Sequence, residues 1–339
     1  MDKIKAMAMV FAWVITCIMI PSMVQAQGCM ESSSDEGVSV VGYMQAQIDY
    51  NLEGAEEGSS FGFNRARVGF IGNVPYDISY YLFAELSPNK ADAPYLLDGF
   101  ITYSRWAPHF KISLGQFKSP FSLELNTPCA ALHTINRSKV VGALASPGRD
   151  IGMMFLGNYK NLSYSVALMN GTGSRNPDTN KAKDIVGRIV LAANEFLSIG
   201  GSARYGKQTP EIVGADEDER SRYGVELQVK HGDFLLQGEY IYGKDVSDVP
   251  TWEARPDTIE KSGAFVQAMY KIKPNLQPVI KYETYDPDLD TDNDQEKTIT
   301  LGLNYFLNEW TRIQINYLYR DEEVEVDNDQ LLIQVQVKF

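Results

Sequence analysis

Histidine and cysteine are almost missing from this chain, with three of each in 339 residues. So few ligands exclude a zinc-type Cys/His framework. Once the leader is set aside, Cys29 and Cys129 allow at most one disulfide. No G-x-S-x-G or H-E-x-x-H spacing occurs. His109, His133 and His231 fall in three separate turns or loops, so no catalytic set, cofactor or metal site is expected. Positive charge is also short: 31 Lys and Arg face 44 Asp and Glu, a net −13. That excludes the basic face that nucleic acid requires. Beyond the N-terminus there is no second apolar run near the roughly 20 residues a membrane helix needs. Only helices and closed barrels satisfy their backbone groups in lipid, so the mature chain is either soluble or a barrel.

What is present begins with an export signal. Lys3 and Lys5 precede an apolar run from Met7 to Ile20, Pro21 breaks it, and Val24-Gln25-Ala26 offers a small-residue cleavage site. The domains expected are a leader at 1–26, a short polar segment at 27–37, and one β-domain at 38–339. A retained helical anchor and a lipid-modified Cys29 are the alternatives, the latter with a poor version of the usual preceding apolar box. An intact Met1 or an acylated Cys29 in the mass of the mature N-terminus would contradict cleavage before Gln27.

From about Val38 onward one unit repeats: roughly ten alternating residues, then a turn. In the last such segment Leu331, Ile333, Val335, Val337 and Phe339 alternate with polar Gln334, Gln336 and Lys338. Ile313, Ile315, Tyr317 and Tyr319 do the same before it, as do Ile299, Leu301, Leu303 and Tyr305. Counting these segments gives about sixteen strands. Short links such as His231-Gly232-Asp233 alternate with long polar ones, as in an antiparallel transmembrane barrel. A soluble all-β protein would also alternate. Three features favour the barrel: tyrosines gather at segment ends, charged residues sit mid-segment on the wet parity, and the chain ends on aromatic Phe339. The location expected is the outer membrane of a Gram-negative bacterium, with lipid and lipopolysaccharide as neighbours.

Charge is segregated. Acidic clusters at Asp216–Glu219, Asp286–Glu296 and Asp321–Asp329 fall between segments and read as solvated loops. The wet parity carries Arg65, Arg67, Arg188, Arg204, Lys281 and Arg312, opposed by Asp49, Glu85, Asp98, Asp184, Glu226 and Glu239. These basic residues are the candidate pore-lining anion contacts, and cross-lumen ion pairing is the equally open alternative. The long segment from Ser119 to Asp150 is low in charge for a surface loop. Loops of this length without regular structure are usually functional. It is expected to fold inward and narrow the pore, with Arg137, Lys139 and Arg149 as its basic residues.

The run Gly115-Gln116-Phe117-Lys118-Ser119-Pro120-Phe121-Ser122-Leu123-Glu124, followed by Gly148-Arg149-Asp150-Ile151-Gly152, resembles the phosphate-selective porin O and P family. Phe63-Asn64-Arg65-Ala66-Arg67-Val68-Gly69-Phe70 and Leu96-Leu97-Asp98-Gly99-Phe100 resemble the family's second-strand and fourth-strand motifs. The resemblance implies a water-filled barrel with an inward third loop, assembled as a homotrimer, passing small hydrophilic or anionic solutes by diffusion. Phosphate as the solute is not carried over, because the loop lacks a dense basic set. A non-conducting barrel that displays acidic loops for adhesion or envelope integrity is the competing reading.

Overall fold

The computed structural model describes residues 37–52, 57–178, 182–208, 218–245, 258–322 and 328–339. The expected leader lies outside them, as do Cys29 and parts of the acidic loops. The first eight strands are β1 Gly37–Asn51, β2 Gly58–Val74, β3 Ile78–Glu85, β4 Tyr95–Trp106, β5 Phe110–Lys118, β6 Arg149–Tyr159, β7 Leu162–Met169 and β8 Asp184–Ala192. The rest are β9 Leu197–Gln208, β10 Asp218–His231, β11 Phe234–Asp245, β12 Ile259–Tyr270, β13 Leu276–Asp286, β14 Glu296–Phe306, β15 Thr311–Glu322 and β16 Gln330–Lys338. Each strand pairs with its sequence neighbours, and β16 returns to β1, so the sheet closes with no free edge. The sixteen alternating segments are therefore the sixteen strands of an antiparallel barrel.

Alternation decides which face meets lipid. On β14 and β15, Leu301 is 51% and Ile315 39% exposed, while inward Asn304 and Gln314 are fully buried. A soluble sheet buries its apolar parity. This one turns it outward around the wall, which suits hydrocarbon and would form an oversized apolar patch in water. Among the described residues no helix is long and apolar enough to cross a membrane, so crossing falls to the strands.

The connections alternate in length. Segments 75–77, 160–161, 232–233 and 307–310 are tight turns at one rim, and the strand ends that longer connections join lie at the other. Gly232, at φ 56°, supplies the left-handed residue of one two-residue turn. The closing seam depends on a second glycine. Gly42 and Phe339 exchange backbone hydrogen bonds of 2.8 and 2.9 Å. A Cβ on residue 42 would stand 2.5 Å from Arg67 O and 2.7 Å from the Phe339 ring.

Several boundaries differ from the sequence reading. β10 begins at Asp218, β13 ends at Asp286, β14 begins at Glu296 and β15 runs to Glu322, so the ends of all three acidic runs expected in loops are strand. Arg149 opens β6 in register with Lys118, rather than belonging to the loop.

Candidate functional site

Segment 119–148 leaves β5 and turns into the barrel. It carries two short helices, α1 (Leu123–Asn126) and α2 (Lys139–Leu144), with a 3-10 turn at Cys129–Ala131 between them. The wall's inward parity is not uniformly polar: Phe117, Met154, Met169, Val186, Ile241 and Phe265 all face inward. Phe121, Leu125, Val140 and Leu144 of the loop pack with them as one buried cluster. This apolar contact explains why a low-charge loop prefers the interior to the surface.

Polar anchors fix its path. Arg204 on β9 clamps both stems, donating to Ser119 Oγ at 2.5 Å, to Pro147 O at 2.9 Å and to Ser146 O. Glu239 on β11 accepts from Ser122 Oγ (3.0 Å), Leu123 N (3.2 Å) and Glu124 N (3.3 Å), meeting the free amides at the start of α1. Lys281 on β13 reaches Glu124 at 3.4 Å and Glu283 at 3.0 Å.

The remaining lumen charges are mostly paired. Arg188 holds Glu226 through two bonds of 2.8 and 2.5 Å, and Arg67 meets Glu85 at 2.7 Å. Arg149 holds Asp98 at 2.9 and 3.0 Å, and Arg222 holds Asp245 at 2.6 and 2.7 Å. Arg220 meets Asp184 at 2.6 Å, with Arg204 3.7 Å from the same carboxylate. Of the candidate anion contacts, Arg67, Arg188 and Lys281 thus sit in ion pairs, and Arg204 serves the loop. Arg65 and Arg312 face the loop's main chain. Of the loop's candidates, Arg137 binds loop carbonyls, Lys139 pairs with Glu296 at the rim, and Arg149 belongs to the wall. Arg220, Arg222, Asp245 and Glu124 were not singled out from sequence. The inward parity Arg220, Arg222, Gly224, Glu226 was the available signal for the first two.

Breaking one of these pairs should be costly. Arg188→Leu leaves Glu226 buried without its cation, for which roughly 3–5 kcal/mol of lost stability is expected. The double change Arg188→Leu with Glu226→Leu should recover most of that loss. Urea unfolding in lipid is the measurement, and equal stability of single and double variants would contradict the pairing.

The three histidines lie far apart in the chain. His109 contacts Asn158 O in the turn after β4, His231 lies tilted against Phe196 at 5.0 Å between ring centres, and His133 is buried within the loop. Burial holds the His133 imidazole down at about pKa 4, with Arg312 pressing the same way and Gln277 opposing. The inward loop is therefore at full stability above the free imidazole's value of about 6.5. It loses stability as pH falls from there toward 4, because the released loop takes up the proton more readily. Channel opening should rise across that window, and His133→Gln should flatten the rise in single-channel recordings.

The family model for phosphate-selective porin O and P matches residues 40–216 and 212–339. The chain belongs to that family. It is thus an outer-membrane porin, placed in the outer membrane of a Gram-negative bacterium. Solved structures agree on the fold. An anion-selective porin from Comamonas acidovorans superposes with a TM-score of 0.67 at 16% identity, covering 90% of this chain and 100% of its own. The trimer form of OmpT from Vibrio cholerae gives 0.65 at 12% identity, covering 90% and 100%. The outer-membrane channel DcaP of Acinetobacter baumannii gives 0.64 at 14% identity, covering 91% and 99%. No curated protein matches the chain.

Proposed function

We propose that this porin passes small hydrophilic solutes with a weak preference for anions, set by guanidinium groups that lack a carboxylate partner. The pairing pattern carries the reading. Arg65 donates to Gln45 Oε1 at 2.8 Å and to Ile135 O at 3.4 Å. Arg312 donates to Leu132 O at 2.8 Å and to Gln336 Oε1 at 3.0 Å. Arg137 donates to Glu124 O at 2.9 Å and to Thr127 O at 2.8 Å. Among the described residues, none of these three has a carboxylate oxygen at ion-pair distance. Arginine stays charged at any working pH, and charges at a constriction set selectivity. Asp49 pulls the other way, which keeps the preference weak.

The test is reversal potential under a salt gradient. Wild type should prefer anions. Arg65→Glu with Arg312→Glu should invert that preference, and the difference should fade with salt as screening shortens from about 8 Å at physiological strength. A wild type that already prefers cations would overturn the reading. The same proposal includes a homotrimer, as described for the V. cholerae protein, with lipid and lipopolysaccharide around its outward apolar band. The mass of the detergent-extracted complex checks the homotrimer. No catalytic role is proposed.

A further inference from the structure

The β5–β6 ladder ends where Lys118 pairs with Arg149, and Ser119 N donating to Gly148 O at 3.1 Å adds one last rung. A plain hairpin at this rim would run on outward along the line of its two strands. Here both stems bend into the lumen, and one wall side chain meets them. Arg204, on β9, donates from one terminal nitrogen to Ser146 O, and from the other to Ser119 Oγ and to Pro147 O at 2.9 Å. It stands three strands from β6, roughly 14 Å round the wall at about 4.8 Å per strand. A single guanidinium thus ties the first residue of the loop to its last ones.

The other anchors reach one part of the loop each. Glu239 takes Ser122, Leu123 and Glu124, and Arg312 takes Leu132. Among the described residues, Arg204 alone on the wall bonds both stems. Its charge is spent there. Arg204 is 2% exposed, and the carboxylate within ion-pair distance, Asp184, lies 3.7 Å from Nε and is held more closely by Arg220, at 2.6 Å. Both terminal nitrogens go to oxygens of the loop. A lysine in its place would keep the charge but offer one nitrogen, where the planar fork of arginine spans two stems.

We infer that Arg204 is the positioning residue of the constricting loop: by drawing both stems toward β9 it turns segment 119–148 across the lumen and so sets the size of solute that passes. The inference rests on the porin reading. Arg204 acts on solutes through the loop, whereas the sequence reading expected it to touch anions directly.

The experiment compares wild type, Arg204→Lys and Ser119→Ala as full-length folded proteins. The two readouts are limited trypsin digestion and single-channel recording with polyethylene glycols of graded mass. In wild type the bond after Arg137 should resist trypsin, since Arg137 is tied to Glu124 O, Leu125 O and Thr127 O inside the barrel. Arg204→Lys should be cut there about tenfold faster, the scale of one lost charge-assisted hydrogen bond. The same variant should conduct more and admit larger polymers, although its net charge is unchanged. Ser119→Ala removes one acceptor and leaves Arg204 beside Asp184. It should show the same changes in smaller degree, and it decides the matter should Arg204→Lys not fold. Wild-type cutting and wild-type polymer cut-off in Arg204→Lys, or in Ser119→Ala where that variant decides, would overturn the inference and leave the porin reading standing. If neither wild type nor a loop-shortened barrel conducts, the porin reading fails and the inference about solute size fails with it.

Discussion

Removing Leu123–Ala145 and joining the stems through a short linker raises single-channel conductance severalfold. The stems already meet, with Ser119 N donating to Gly148 O at 3.1 Å, so a short bridge closes the gap without pulling on β5 or β6. The wall keeps its strand pairing and its Arg188–Glu226 and Arg222–Asp245 pairs, none of which involves the excised residues. The buried cluster loses Leu125, Val140 and Leu144, and water replaces them against Ile241 and Phe265. Exposing those apolar side chains costs stability, but a closed sheet with satisfied backbone bonds tolerates it. Unchanged conductance in a folded, shortened barrel would mean that the loop does not limit passage.

Phe339→Asp should all but abolish assembled protein in the outer membrane. Phe339 ends the outward parity of β16, is 53% exposed toward lipid, and lies against Gly42 where the last strand meets the first. A carboxylate on the lipid face this near the rim costs at most about 1 kcal/mol by itself. The larger loss comes from its place at the seam, which must close before any backbone edge is protected. Phe339→Tyr keeps the ring and should assemble normally. Wild-type levels of Phe339→Asp in purified outer membranes would show that closure does not need the terminal aromatic.

The barrel was legible in the sequence because its physics is local. Period two with Ile299, Leu301, Leu303 and Tyr305 on one parity specifies a strand and its lipid face without reference to any partner. Closure follows once an even number of such strands is present. The charged parity was legible for the same reason, and Arg65 and Arg312 were placed correctly on the inner face. Pairing was not legible. Glu226 reaches Arg188 across 38 residues of chain, and Arg312 reaches Leu132 across 180. Nothing in either neighbourhood names the other. The loop's inward turn was readable from its low charge and its length. Its polar grip was hidden, since Arg312 and Asn304 hold the main-chain carbonyls of Leu132 and His133, and every residue carries such a carbonyl. Arg220 and Arg222 were missed because the acidic run before them reads as loop, and the strand signal resumes only if the parity of Glu226 is followed backward.

Purified full-length protein in a planar bilayer, recorded at single-channel resolution, tests most directly whether this porin is a channel narrowed by its own third loop. Discrete conducting events are predicted, severalfold larger when Leu123–Ala145 is removed. Equal conductance in the full-length and loop-shortened proteins would contradict the constricting loop, and silence from both would contradict the channel.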